Sequence, residues 1–241
     1  LVVGLGKSGF STAKFLKAAG AKVRVTESAV SGAPLENARK LERLGIPAEV
    51  GGHTAAFAEG VELVVTSPGV PKDSLPLSVA RRRNIPVISE IELASHYCRG
   101  PIVAVTGSNG KTTTCHLIHR MLTDAGRKAF LCGNMGTPFI SVLPKIRPST
   151  PVIVEVSSFQ LEDCVSFRPS IAVVLNVSPN HLDRHRTFKN YLKAKMNIFK
   201  AQSRRETLAL NYDRPEVRRM RSEARSSVFF FGKKRMPAKG I

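Results

Sequence analysis

Twice in this 241-residue chain an apolar run breaks into a glycine-rich turn that opens a helix, LVVGLGKSG at Leu1–Gly9 and IVAVTGSNGKTT at Ile102–Thr113. Few architectures accommodate that arrangement. The turn lets the main chain approach a phosphate, the helix start offers unpaired N–H groups, and a parallel sheet brings strand and helix into line. The expected fold class is therefore α/β, with an N-terminal Rossmann-like parallel sheet domain over residues 1–93. A P-loop ATPase α/β domain, incomplete, is expected over 94–241. Two further motifs fall in the second part, EVSSFQLE at Glu155–Glu162 and NVSPNHLDRH at Asn176–His185.

Hydrophobic periodicity fills in the elements. In the first part, Leu1–Leu5, Ala21–Thr26, Val61–Thr66 and Pro86–Ser89 read as strands, with a helix over Ser8–Ala19 and an acidic helix start at EIE after Ser89. The pattern is interrupted at Ala94–Pro101. Beyond it, strands are expected at Ile102–Thr106, Ala129–Cys132, Val152–Val156, Ile171–Asn176, Thr207–Leu210 and Val228–Phe231, and helices at Lys111–Ala125 and Phe188–Ala201.

Composition narrows the class. With 42% hydrophobic and 23% charged residues the chain reads as globular, and no apolar run is long enough to span a bilayer. The four cysteines, Cys98, Cys115, Cys132 and Cys164, contain no CxxC pair. Neither a zinc site nor a disulfide framework is indicated, and a soluble, cytoplasmic protein is expected, without membrane insertion. The chain opens inside an apolar strand and ends after KKRMPAKG, which suggests a piece of a longer polypeptide. The formal charge of +19 is dispersed in clusters such as Arg81–Arg83, Arg204–Arg205, Arg218–Arg221 and Lys233–Arg235, with no interleaved aromatics on which bases would stack. It reads as solvated faces with attraction for polyanionic substrates, and no nucleic acid is expected as a partner.

Gly4, Gly6 and Gly9 form GxGxxG between a strand and a helix, and Glu27 ends the next strand, where a carboxylate could meet a ribose hydroxyl. NAD, another nucleotide diphosphate and a purely structural turn all fit this pattern. The second loop is more specific. Thr106, Gly107, Ser108, Asn109, Gly110, Lys111, Thr112 and Thr113 make a P-loop lacking the first glycine of the strict pattern, since Val105 stands there. Lys111 would neutralise β and γ phosphates, Thr112 would ligate Mg²⁺, and the amides from Gly107 to Lys111 would form an anion nest.

Glu155 lies in the apolar strand VIVEV, where a carboxylate needs a partner, either a bound cation or a buried Lys or Arg. His181 and Asp183 follow the strand IAVVLN, at the strand edge where α/β folds place ligands. On the helix after them, Phe188, Tyr191, Leu192, Met196 and Phe199 form an apolar stripe that includes Lys195. An inward lysine has either a depressed pKa, which frees its amine to react even with CO₂, or a snorkelling stem with its ammonium at the rim.

TGSNGKTT, SSFQLE, SPNHLDRH and GLGKSG together resemble the Mur ligases of peptidoglycan synthesis, and among them the D-glutamate-adding members, over essentially the whole chain. The resemblance implies an ADP-forming ligase acting on ATP, UDP-N-acetylmuramoyl-L-alanine and D-glutamate through an acyl phosphate. It implies Lys111 and Thr112 at ATP, and a metal site of Thr112, Glu155, His181 and a carbamylated Lys195, with two Mg²⁺ ions. Catalytic roles would fall to Lys111, Glu155, His181 and Lys195. Asn134, Ser157 and Ser158 would touch the muramoyl substrate, and Lys7, Ser8, Glu27, Ser28, Ser67, Pro68 and Gly69 its uridine diphosphate end. The C-terminal amino-acid-binding domain would be absent, leaving the piece able to bind but not to turn over; a monomer is expected. Arg186 stands where the family usually has Gly, a change expected to disturb that loop.

Other classes explain less. A NAD-dependent oxidoreductase leaves the P-loop, Glu155 and His181 without a role, and a folylpolyglutamate synthase needs no uridine-nucleotide domain before its P-loop. A Mur ligase adding a different amino acid, or a non-catalytic nucleotide-binding module, stays open.

Overall fold

The structure, a computed structural model, describes residues 1–233; the 234–241 part of the expected second domain and of the Lys233–Arg235 cluster lies outside the described residues. The first sheet contains β1 (Val2–Val3), β2 (Val25–Glu27), β3 (Ala48–Val50), β4 (Val64–Thr66) and β5 (Val87–Ser89). All pairings are parallel, in the order β3-β2-β1-β4-β5. Helices α1 (Lys7–Ala18), α2 (Ala33–Glu42) and α3 (Leu75–Arg82) connect them. Adjacent residues of β1 bury on opposite faces: Val2 packs with Leu5, Ala13, Val25 and Leu41, whereas Val3 packs with Val64, Val70, Leu77 and Ala80. That two-sided burial is why the strand reads as an unbroken apolar run. Gly9 lets α1 close on the turn, since a Cβ there would lie 1.9 Å from the Gly4 carbonyl oxygen.

The second sheet contains β6 (Ile102–Thr106), β7 (Phe130–Gly133), β8 (Val152–Glu155), β9 (Ile171–Val174), β10 (Thr207–Asn211) and β11 (Ser227–Phe231). It too is parallel, in the order β11-β10-β9-β6-β8-β7. The central β6 therefore carries the P-loop between the end of β8, where Glu155 stands, and the end of β9, which leads to Asn176 and His181.

Helix α4 (Glu90–Tyr97) runs across position 93/94, so the expected interruption at Ala94–Pro101 begins inside a helix. Its Ile91, Leu93 and Ala94 share one core with Ala104, Val154 and the residues Phe139 and Ile140 of α6 (Phe139–Val142). Helices α2 and α3 and strand β3 are additional to the expected elements. Only Ala38 and Leu41 of α2 are buried, and β3 is a half-buried edge strand of three residues, so neither shows a strong apolar period. The expected helix Phe188–Ala201 ends earlier, as α9 (Phe188–Met196). Bonds from the N–H groups of Ile198 and Phe199 to the carbonyls of Lys195 and Met196 tighten the next turn and tuck both apolar side chains inward.

Glu90, in the first turn of α4, is buried beneath α6. One oxygen accepts the Ile140 N–H at 2.7 Å, and Oε2 has no partner among the described residues. Burial raises its pKa from 4.5 to about 7, against the lowering effect of the Ile140 and Phe139 N–H groups. Between those two values the folded protein binds more protons than the unfolded chain, so this contribution is complete below pH 4.5 and is lost as pH rises through 7. Glu90→Gln is expected to raise the melting temperature at pH 8, by about 2–4 °C for each ~1 kcal/mol recovered, and to leave it nearly unchanged at pH 5. Thermal melts of both proteins at the two pH values check this.

Candidate active site

The P-loop turns on Gly110, whose φ of 83° places the left-handed residue at the N-cap of α5 (Lys111–Asp124). Leu175 and Asn176, expected in the strand, leave the β9 ladder to hold this loop. The Asn176 side chain accepts the Asn109 N–H at 2.9 Å and donates to the Asn109 carbonyl at 3.0 Å, while its backbone carbonyl accepts the Ser108 N–H. Two of the five amides expected in an anion nest are thus engaged within the protein. Lys111 Nζ donates to the Gly107 and Ser108 carbonyls at 3.0 and 3.2 Å, folding back over the loop mouth.

Glu155 is 3% exposed, and its carboxylate accepts from Thr112 Oγ1 at 2.9 Å and from Asn134 Nδ2 at 3.0 Å. It forms no Lys or Arg ion pair among the described residues, so of the two sequence readings the buried-pair one does not hold, and the carboxylate is held by hydrogen bonds. Asn134 reaches it because the backbone of Gly133, at φ 112°, packs so close that a Cβ would lie 2.2 Å from the Glu155 carbonyl oxygen.

Lys195 faces inward as the helical wheel requires, at 1% exposure. Its Nζ donates to the Gly107 carbonyl at 3.0 Å and Thr106 Oγ1 at 3.5 Å, and lies 4.7 Å from the centre of the Tyr191 ring. Burial, and then repulsion from Lys111, lowers its pKa from 10.5 to about 7. The snorkelling alternative is thereby set aside, because the amine is enclosed. His181 sits at φ 53° ahead of α8 (Leu182–His185), its ring 4.8 Å from that of Phe159 in α7 (Ser158–Leu161). A cavity of about 220 Å³ brings Lys111, Asn134, Ser157, Ser158, His181 and Lys195 together with Gly107, Ser108, Phe159 and Tyr191. Thr112 and Glu155 do not line it and join it through Asn134. Thr113 is exposed, and Asp183 lines a different cavity beside Arg184 and Lys189.

The remaining sequence candidates stand at the edge of the first sheet, outside this cavity. Ser67 Oγ donates to the Gly4 carbonyl at 3.2 Å, placing Ser67, Pro68 and Gly69 beside the glycine turn between β1 and β4, where the strand order reverses. Lys7 is exposed and Ser8 half-buried at the start of α1. Glu27 is engaged by the protein itself, accepting the Leu5 N–H at 2.6 Å and the Ala29 N–H at 2.9 Å, with Ser28 Oγ at 3.3 Å. It fixes the turn from below.

Arg186 adopts a backbone conformation that L side chains rarely take. At φ 65° and ψ −39° it sits in backbone space that favours glycine, at the centre of a γ-turn closed by the Thr187 N–H to His185 carbonyl bond of 2.8 Å. Such strain costs on the order of 1–3 kcal/mol. Arg186→Gly is expected to stabilise the protein by roughly 1 kcal/mol after the added flexibility of the unfolded chain is deducted. Urea unfolding of the two proteins checks it.

Sequence reasoning gave no role to Asn176, Tyr191, His185 or Glu162. All four lie within the motifs or the apolar stripe, but their partners are distant in sequence: Tyr191 donates to or accepts from Ser108 Oγ at 3.0 Å, 83 positions away.

Residues 1–89 match the N-terminal domain of MurD-like Mur ligases, and residues 105–239 match the Mur ligase middle domain. The chain is 41% identical over 241 residues to a UDP-N-acetylmuramoylalanine–D-glutamate ligase of Pelotomaculum thermopropionicum, and 39% identical over 240 residues to the same-named protein of Thermoanaerobacter pseudethanolicus. Each comparison covers 100% of this chain and 53% of the relative, so the chain spans about half their length. Among solved structures, a UDP-N-acetylmuramate:L-alanyl-gamma-D-glutamyl-meso-diaminopimelate ligase from Neisseria meningitides aligns with a TM-score of 0.61 at 18% identity, covering 98% of this chain and 80% of that one. A UDP-N-acetylmuramate–alanine ligase from Thermotoga maritima aligns at 0.55 and 20% identity, over 97% and 52%. At those identities the likeness is one of fold.

Proposed function

This chain belongs to the Mur ligase family, and on that footing we propose that it is the nucleotide- and substrate-binding part of an ATP-dependent ligase joining D-glutamate to UDP-N-acetylmuramoyl-L-alanine in the bacterial cytoplasm. The observation that carries the reading is the single cavity holding Lys111, His181, Lys195, Asn134 and both serines, with the Thr112–Glu155 pair joined to it. Residues 1–93 would hold the uridine diphosphate end, with Lys7, Ser8, Ser28 and Ser67–Gly69 around a turn shaped by Glu27. Residues 94–241 would hold ATP, and the D-glutamate site would come from the relatives' remaining length. No described helix is long and apolar enough to cross a membrane.

In this reading the alanyl carboxylate attacks the γ-phosphorus of ATP. A P–O bond forms as the β,γ-bridging bond breaks, and ADP departs. The amine then attacks the acyl carbon, a C–N bond forms as the C–O bond to phosphate breaks, and the amine's proton passes to water. Lys111, released from its loop carbonyls, follows the charge moving onto the β-phosphate. Asn134 and Ser157 orient the sugar-linked carboxylate.

Mg²⁺ fits these residues. A buried carboxylate and an exposed threonine hydroxyl are hard oxygen donors, with the borderline imidazole of His181 beside them, too few for a cage of protein ligands alone, as suits Mg²⁺ shared with phosphates. Thr112, Glu155, His181 and Lys195 would hold two ions, which supply charge neutralisation at the phosphate oxygens. Lys195 would join them as a carbamate: its neutral amine attacks CO₂, an N–C bond forms, and a proton passes to water.

Phosphate release by the protein restored to its relatives' length, with ATP, Mg²⁺ and UDP-N-acetylmuramoyl-L-alanine, with and without D-glutamate, tests the reading. Release that requires both substrates supports it. Turnover with another amino acid only would reassign the protein within the family, and silence with all would leave a binding module.

A further inference from the structure

One hydrogen-bonded chain leads out of the cavity and is used by no step above. Ser158 Oγ lies 3.0 Å from His185 Nε2, and His185 Nδ1 lies 3.0 Å from Glu162 Oε1. The other carboxylate oxygen, Oε2, takes Arg184 at 3.1 and 3.2 Å and Lys72 at 3.6 Å. His185 is buried, clamped between the rings of Phe159 at 5.5 Å and Tyr191 at 5.1 Å.

The order of these groups dictates where each proton sits. A carboxylate paired with a guanidinium and an ammonium is ionised and only accepts, so His185 Nδ1 must carry the hydrogen. In a neutral imidazole Nε2 is then a bare acceptor, and the Ser158 hydroxyl has to donate to it. We propose that Glu162 and His185 are positioning residues that commit the proton of Ser158 inward, so that Ser158 Oγ offers the cavity only lone pairs and selects an N–H donor on the bound substrate. The inference rests on the ligase reading and deepens it. Such donors are the amine of the incoming amino acid and the amide N–H groups of the UDP-linked substrate.

Glu162→Gln tests the polarity without changing shape. Arg184 and Lys72 can only donate, so they claim the single amide oxygen and turn the amide NH₂ toward His185 Nδ1. The imidazole must then accept at Nδ1 and donate from Nε2. Ser158 accepts in turn, and its own O–H is released into the cavity, facing an N–H donor. Nitrogen-15 spectra of the histidines, assigned through His185→Phe, are expected to show bare Nε2 in the native protein and bare Nδ1 in the variant. A native His185 that is protonated on Nε2 overturns the proposal whether or not any variant folds.

In the full-length ligase, Ser158→Ala is expected to raise one KM by about three- to tenfold, the worth of one neutral hydrogen bond, and to leave the KM for ATP unchanged. Glu162→Gln should raise the same KM at least as far. A rise for D-glutamate identifies the amine, a rise for the UDP-linked substrate identifies its amide, and no rise in either refutes the role. Covalent capture of Ser158 by a fluorophosphonate would show a nucleophile instead and also overturn the proposal. Should the native protein consume no ATP, the ligase reading fails while the histidine spectra still decide the proton placement.

Discussion

Lys111→Ala is expected to reduce ligation in the full-length protein by at least about 10²–10³-fold, the typical cost of removing one preorganised donor to developing transition-state charge. Lys111 is the cation of the P-loop, and its Nζ bonds now reach only the Gly107 and Ser108 carbonyls, neither of which needs it for folding. Gly107 also accepts from Lys195, and Ser108 is only half-buried, at the cavity wall. The substitution should therefore leave the thermal transition within a few degrees of native while nucleotide affinity falls. Lys111→Arg separates charge from shape, because a planar guanidinium is bulkier than an ammonium at a loop where Gly107 already lies 3.1 Å, in Cβ terms, from Leu175. Partial nucleotide affinity with little ligation is the expected outcome. Retained ligation in Lys111→Ala would remove the P-loop from the mechanism.

Lys195 gives the second large effect, and its stability and activity move in opposite directions. Its amine is enclosed and its pKa is lowered to about 7, so folding at neutral pH works against its charge. The unfolded chain, with a pKa near 10.5, binds more protons than the native state between pH 7 and 10.5, so native stability rises across that window. Lys195→Met keeps the length of the stem and removes the charge. It is expected to be more stable than native at pH 7 by ~1 kcal/mol or more, as when buried charges are replaced by packed apolar groups, with the gap closing toward pH 10. The Gly107 carbonyl keeps its bond from Lys111, so no buried acceptor is orphaned. Ligation, in contrast, should fall at least about 10²-fold in both Lys195→Met and Lys195→Arg, since a guanidinium stays charged and cannot add CO₂. Removal of bicarbonate should slow the native enzyme and its return restore it. Activity indifferent to bicarbonate, with Lys195→Arg active, would rule out the carbamate.

The glycine loops, the inward lysine and the isolated carboxylate of VIVEV were all legible because each breaks a local rule. Gly4 interrupts an apolar run, Gly107 and Gly110 follow closely on another, Lys195 sits on an apolar stripe, and Glu155 stands in a strand buried on both faces. Departures from a strong period are visible along the chain itself. By the same logic α2 and β3 escaped notice: with two buried side chains and three half-buried residues they have no period to break.

Sequence alone pointed to two parallel sheets that each carry a glycine turn at a helix start, and to Glu155 and Lys195 at apolar positions, because those properties follow from backbone sterics and local spacing; the burial of Glu90 and His185 was not legible there. Only the tertiary structure decided the partners. That Glu155 meets Thr112 and Asn134, that Asn176 grips Asn109, and that Ser158 meets His185 are contacts between ends of strands and helices 21 to 67 positions apart, with the Ser158–His185 pair at 27. Strand order sets them. Placing β6 between β8 and β9 brings three strand ends to one edge, and hydrogen-bond direction, fixed only once donor and acceptor face each other, does the rest.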